Sequence, residues 1–208
     1  MNHPKILLLL LACAAASTVA APSTPAPGTR PTLTDWPGAA VKWNQMEGLS
    51  NTGGASFIDA QMNMDALTCD DFLCEETAPV ADLHFYGWSA YGSAYIDGFR
   101  VTFWSDAPAT AQDASHPDTL LHEAIVGPAD PADPLKIGWQ ETQQYIFRIN
   151  LPKADWFDQR GTAADPIVYW VGIQGLMVQD GMEDAFYWGF RQPGLTWNDD
   201  AAFASDYF

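Results

Sequence analysis

The sequence predicts an all-β domain, an antiparallel β-sandwich of jelly-roll type with long irregular loops. Three observations predict it. Five segments alternate with period two, helical periodicity is nearly absent, and clusters of Gly, Pro, Asn and Asp separate the alternating runs. Seven or more short strands with irregular connections suit a sandwich or jelly roll, with a barrel as the alternative closure.

The strands follow in order. Ala81, Leu83 and Phe85 share one face and Asp82, His84 and Tyr86 the other. Phe99, Val101 and Phe103 oppose Arg100, Thr102 and Trp104. Tyr145, Phe147, Ile149 and Leu151 oppose Gln144, Arg148 and Asn150. Ile167, Tyr169, Val171 and Ile173 oppose Val168, Trp170 and Gln174. Phe186, Trp188 and Phe190 oppose Tyr187 and Arg191. Weaker strand signals cover Val41–Met46 and Leu120–Val126, and Cys69–Cys74 reads as a strand edge. Loops are expected at 51–54, 107–118, 127–134 and 179–182, and one short helical turn at Ala154–Gln159.

The N-terminus predicts export. Lys5 precedes an apolar run from Ile6 to Ala12, and small residues continue to Ala21, the three regions of a secretory signal peptide. The run is shorter than the roughly 20 residues a membrane span needs, and no later stretch is longer, so no transmembrane span is expected. Two processing outcomes fit. Thr18-Val19-Ala20 suits ordinary cleavage, which releases the domain. Leu10-Leu11-Ala12-Cys13 resembles a lipobox, which would lipidate Cys13 and hold the domain at the cell envelope. Residues 1–21 are thus the signal peptide, 22–36 a tether carrying Pro22, Pro25, Pro27 and Pro31, and 37–208 the sandwich domain.

The formal net charge is −17, and loss of Lys5 makes the mature chain one unit more negative. That argues against nucleic acid and anionic membrane surfaces as partners; polysaccharide or surface proteins are the expected ones. Of 3 Cys, Cys13 lies in the leader, leaving Cys69 and Cys74. An exported pair invites a disulfide. An extended segment would hold their Cα atoms about 16 Å apart, against the roughly 7 Å limit for a bridge. Either the segment turns or the two do not pair. No second ligand pair with recognisable spacing supports a zinc site.

A set of segments carries a resemblance: Cys69-Asp70-Asp71-Phe72-Leu73-Cys74, Val80 to Gly87, Asp97-Gly98-Phe99-Arg100-Val101, Ser115-His116-Pro117-Asp118 leading into Leu120-Leu121-His122-Glu123, Tyr169-Trp170, Trp188-Gly189-Phe190, and Asn198-Asp199-Asp200-Ala201. In order and spacing they resemble a family of uncharacterised exported β-sandwich domains from bacterial and archaeal surface proteins, over roughly residues 41–203. In that family an Asp-Asp-Phe strand precedes an Ile-His-aromatic-aromatic-Gly strand, and an Asp-Asp-Ala motif lies near the end. The resemblance implies an exported sandwich and carries over no catalytic residues. A small residue is common there at position 69, which weakens a family-wide disulfide. The hydrophobic sorting tail frequent there is not expected here.

Motif chemistry is sparse. There is no Gly-x-Ser-x-Gly elbow, and His122-Glu123 has no second His three residues on. His84 falls on the polar face of its strand and is assigned to hydrogen bonding. Paired carboxylates for glycoside hydrolysis need a set separation that sequence does not give. No EF-hand pattern occurs, but Asp70, Asp71, Asp199 and Asp200 are candidate ligands for a structural Ca²⁺ if the first and last strands lie side by side. Like-charged pairs brought together would repel without a cation; otherwise each Asp bonds turn amides or strand ends. The chain holds 9 Trp. Tyr86, Trp88, Trp104 and Trp170 are candidate ligand-binding residues, as aromatic platforms stacking on sugar rings, unless loops cover them. The expected function is a non-enzymatic exported binding or structural module without a cofactor beyond that ion. A carbohydrate-binding module and a glycan-active enzyme are the alternatives.

Overall fold

The computed structural model describes residues 9–13, 40–44, 53–89, 96–127, 136–141, 144–178, 185–189 and 202–205. These form thirteen strands in two sheets, and no α-helix is among them. The strands are β1 (Leu9–Cys13), β2 (Ala40–Asn44), β3 (Gly53–Ala55), β4 (Phe57–Asp59), β5 (Met64–Cys74), β6 (Asp82–Ser89), β7 (Ile96–Ala107), β8 (His116–Val126), β9 (Lys136–Glu141), β10 (Gln144–Asn150), β11 (Ile167–Met177), β12 (Phe186–Gly189) and β13 (Ala202–Ser205).

One sheet runs β2-β1-β6-β10-β9, with β12 joined to the end of β6 and β3 to β12. The other runs β13-β5-β4-β11-β7-β8, and β5 also pairs directly with β11. Its pairings are antiparallel except for β4 beside β11. Each of the five alternating segments contains a strand, with Phe190 and Arg191 of the last outside the described residues, and the chain is the all-β sandwich that the alternation predicts. The apolar run of the expected leader contributes β1, antiparallel to both β2 and β6. No described helix is long and apolar enough to cross a membrane.

Alternation builds the core. Leu83 and Phe85 of β6 and Phe147 and Ile149 of β10 face Phe99, Val101 and Phe103 of β7 and Val171 and Ile173 of β11, all buried. Phe85 and Phe147 are cross-strand partners whose rings stack at 5.4 Å. Phe99 meets them edge-on from the opposite sheet, at 5.3 Å and 5.1 Å, and Phe186 closes the group. Each such pair contributes about 0.5–1.5 kcal/mol beyond its burial.

Several expectations change. Gly53 and Gly54, expected in a turn, lie in β3. The Cys69–Cys74 segment is the second half of β5, paired with β11 along its length and, among the described residues, with β13 only at Cys69. The helical turn is a single 3-10 turn at Lys153–Asp155, followed by extended chain. The central strand β11 is buried on both faces: Val171 and Ile173 line the core, while Trp170 and Gln174 on its other side are equally inaccessible. A polar relay crosses that outer face, from Glu123 through Arg100 and Gln174 to Asp65.

Candidate functional site

An open cleft of about 490 Å³ lies beside β8, lined by Leu121, His122, Trp156, Phe157, Asp158, Arg160 and Tyr169. Leu121 and His122 come from β8 and Tyr169 from β11. The other four lie on the connection between β10 and β11. There Pro152 leads into the 3-10 turn, closed by the Asp155 N–H donating to the Pro152 carbonyl at 2.7 Å. The chain then extends, and Phe157 exchanges two backbone hydrogen bonds with Val80, at 2.9 and 3.2 Å. An extended segment sends alternate side chains to opposite sides. Phe157 and Gln159 turn inward and are buried. Asp158 and Arg160 turn outward and are exposed, and Trp156, on their side of the alternation, is half-buried.

The inward anchors are strong. The Phe157 ring stacks on Phe103 at 4.4 Å and meets Tyr169 edge-on at 5.1 Å. The Gln159 amide donates to the Glu76 carbonyl at 3.0 Å. The Gly161 N–H donates to Cys74 Sγ at 3.2 Å, and the Thr77 hydroxyl donates to the Gly161 carbonyl at 3.0 Å. No Cβ fits at Gly161, because it would meet the Cys74 carbonyl oxygen, with the Cys74 carbonyl carbon at 2.7 Å and Sγ at 2.8 Å.

These anchors hold the lining in fixed orientations. The Trp156 indole N–H donates to the Leu151 carbonyl at 2.9 Å, and the Lys153 ammonium sits 5.9 Å from the ring centre. His122 Nε2 lies 2.8 Å from the Asp155 carbonyl. A carbonyl only accepts, so Nε2 carries a proton toward it. The Tyr169 hydroxyl accepts the Arg160 backbone N–H at 3.3 Å, so its own proton remains to be donated. Burial pushes the Tyr169 phenol above its ordinary range and keeps it neutral. The cleft thus combines aromatic surface with donors and acceptors, and among the described residues Asp158 is the only carboxylate in its lining.

The candidate residues read from sequence lie elsewhere. Tyr86 and Trp170 are buried and present no platform to solvent, because the outer sides of their strands are covered. Trp104 is half-buried beside Trp170, whose indole N–H donates to Asp106 Oδ1 at 2.8 Å. Trp88 sits on the other sheet, half-buried and stacked on Tyr187 at 5.5 Å. The four therefore divide two and two between the sheets. His84, expected on a polar face, is buried, with Nε2 3.3 Å from Asp82 Oδ2.

Asp70 and Asp71 are buried and, as neighbours in β5, project to opposite faces, so they form no pair on one face. Ala202 pairs with Cys69, which sets the last strand beside β5, while the first strand, β1, lies in the other sheet. Asp199 and Asp200 lie outside the described residues. Among the described residues no group of three or more His, Cys, Asp and Glu is placed to hold a metal. Cys69 and Cys74 are free and buried; five positions apart in a strand, they project to opposite faces. Burial drives the Cys69 thiol far above its ordinary range. Cys13 lies in β1.

Sequence reasoning missed the cleft because its key segment, Trp156 to Arg160, reads as a helical turn. The usable signal was the period-two order Trp-Phe-Asp-Gln-Arg, with large groups on both sides.

Two packed sheets and an aromatic cleft on the connection between strands define an all-β sandwich domain with a preformed pocket. The chain belongs to a family described as a domain of unknown function (DUF7901), whose model matches residues 41–207. No curated protein and no solved structure matches it.

Proposed function

We propose that the chain is an exported, non-enzymatic binding module, acting at or outside the cell surface, and that the Trp156 cleft is its ligand site. The ligand class we assign is carbohydrate. One observation carries this reading: Trp156 is held edge-fixed by its bond to the Leu151 carbonyl, beside outward-facing Asp158 and Arg160. A fixed aromatic ring takes the apolar face of a sugar, and charged groups at its edge take the hydroxyls. Export rests on the Lys5 and Ile6–Ala12 leader pattern, whose apolar run forms β1 beside β2 and β6, so cleavage after Ala20 would take that strand out of the sheet.

The test is retention on a panel of immobilised neutral and acidic polysaccharides, comparing the wild type with Trp156→Ala. The reading predicts retention on at least one polysaccharide and its loss in the variant, with melting temperatures within a few degrees. Retention on none, or equal retention by the folded variant, overturns it.

A further inference from the structure

The Arg160 side chain is exposed at the cleft. Among the described residues no carboxylate lies within ion-pair reach of it, and Asp158, two positions away on the same side, is not its partner. That is unusual for this composition. The chain carries 26 Asp and Glu against 9 Lys and Arg, so carboxylates outnumber cations nearly threefold. Arg100 has found one, binding Glu123 through Nε at 2.9 Å. Among the described residues, Arg160 is therefore a guanidinium without a carboxylate partner. Its planar fork matches a carboxylate in two parallel hydrogen bonds, which an ammonium does not. The Tyr169 hydroxyl, whose oxygen is occupied by the Arg160 N–H, adds a second donor to the cleft lining.

Resting on the carbohydrate reading of the cleft, we infer that the ligand is a carboxylate-bearing glycan, a polymer containing uronic acid units, with Arg160 as the residue that selects the charged sugar. Trp156 stacks on the ring, Arg160 pairs with the carboxylate, and Asp158 accepts from neighbouring hydroxyls. The net charge of −17 opposes approach of a polyanion. That repulsion acts over a distance and is screened by salt, whereas the contact with Arg160 is screened less. Added salt in the range 20–150 mM should therefore speed association, the reverse of what a basic protein shows.

The probes are polygalacturonate and its fully methyl-esterified form, which share a backbone and differ in charge. Affinities are measured for the wild type, Arg160→Gln and Trp156→Ala. The expected result is at least tenfold tighter binding of the free acid by the wild type. Arg160→Gln should lose that preference, weakening binding of the acid at least tenfold more than binding of the ester, and Trp156→Ala should lose both. Equal binding of acid and ester by the wild type, or an undiminished preference in Arg160→Gln, overturns the assignment of charge and leaves the carbohydrate reading standing. Binding of neither form, with neutral glycans retained, also overturns it; retention of no glycan overturns both.

Discussion

Replacing Trp170 with Ala separates the two ways of reading the aromatic residues. As an exposed sugar platform, Trp170 would be dispensable for stability. In the fold it is fully buried between Asp71 on β5 and Trp104 on β7, and its indole N–H donates to Asp106 at 2.8 Å. Truncating a buried Trp to Ala costs roughly 3–5 kcal/mol, through lost transfer energy and the cavity left behind. The bond to Asp106 adds little, because Asp106 is half-exposed and water can replace the indole. Taking about 4 kcal/mol, and about 3 °C per kcal/mol for a domain of this size, the melting temperature should fall by about 12 °C. Circular dichroism at a β-sheet band, with denaturant unfolding alongside, reads both quantities. Trp170→Phe should recover more than half of the loss, since most of the volume returns. A fall under about 1 kcal/mol for the Ala variant would mean that the ring is not packed as described.

Three further outcomes follow from named contacts. Cys69 and Cys74 should resist a thiol reagent in the native state and react fully after unfolding in guanidinium; fast native labelling, or no thiol on unfolding, would contradict their free, buried placement. Gly161→Ala should lower stability by roughly 1–3 kcal/mol, because the new Cβ meets the backbone of Cys74 rather than a yielding side chain, and an unchanged melting temperature would refute that crowding. Tyr169 holds its proton longer when folded than its ordinary value of 10 allows, so its contribution is complete below that pH and is lost as pH rises above it. Unfolding free energies between pH 9 and pH 11 should therefore fall more steeply for the wild type than for Tyr169→Phe; parallel slopes would count against the buried phenol.

The fold was legible where one face of a strand is apolar and the other polar. The segments around Phe85, Phe99, Phe147, Val171 and Phe186 kept that contrast, and each is a strand. Legibility failed for two physical reasons. β5 is buried on both sides from Cys69 to Phe72, so polar Asp70 and Asp71 sit where apolar residues would have marked a face. β3 and β4 span only three residues each, too few for a period to register. The aromatic count pointed toward a binding surface but not to its members. Alternation places Trp170 opposite the core face of its strand, and only the three-dimensional fold reveals that this second side is covered too. Trp156 and Arg160 lie outside any regular strand, where periodicity is seldom sought.

The most direct test of the cleft as a binding site is a crystal structure of the domain with a bound galacturonate oligosaccharide. The account predicts a sugar ring against Trp156, between it and Leu121, with a carboxylate on Arg160. A sugar seated instead on the stacked Trp88 and Tyr187 pair, with the Trp156 cleft empty, would contradict it.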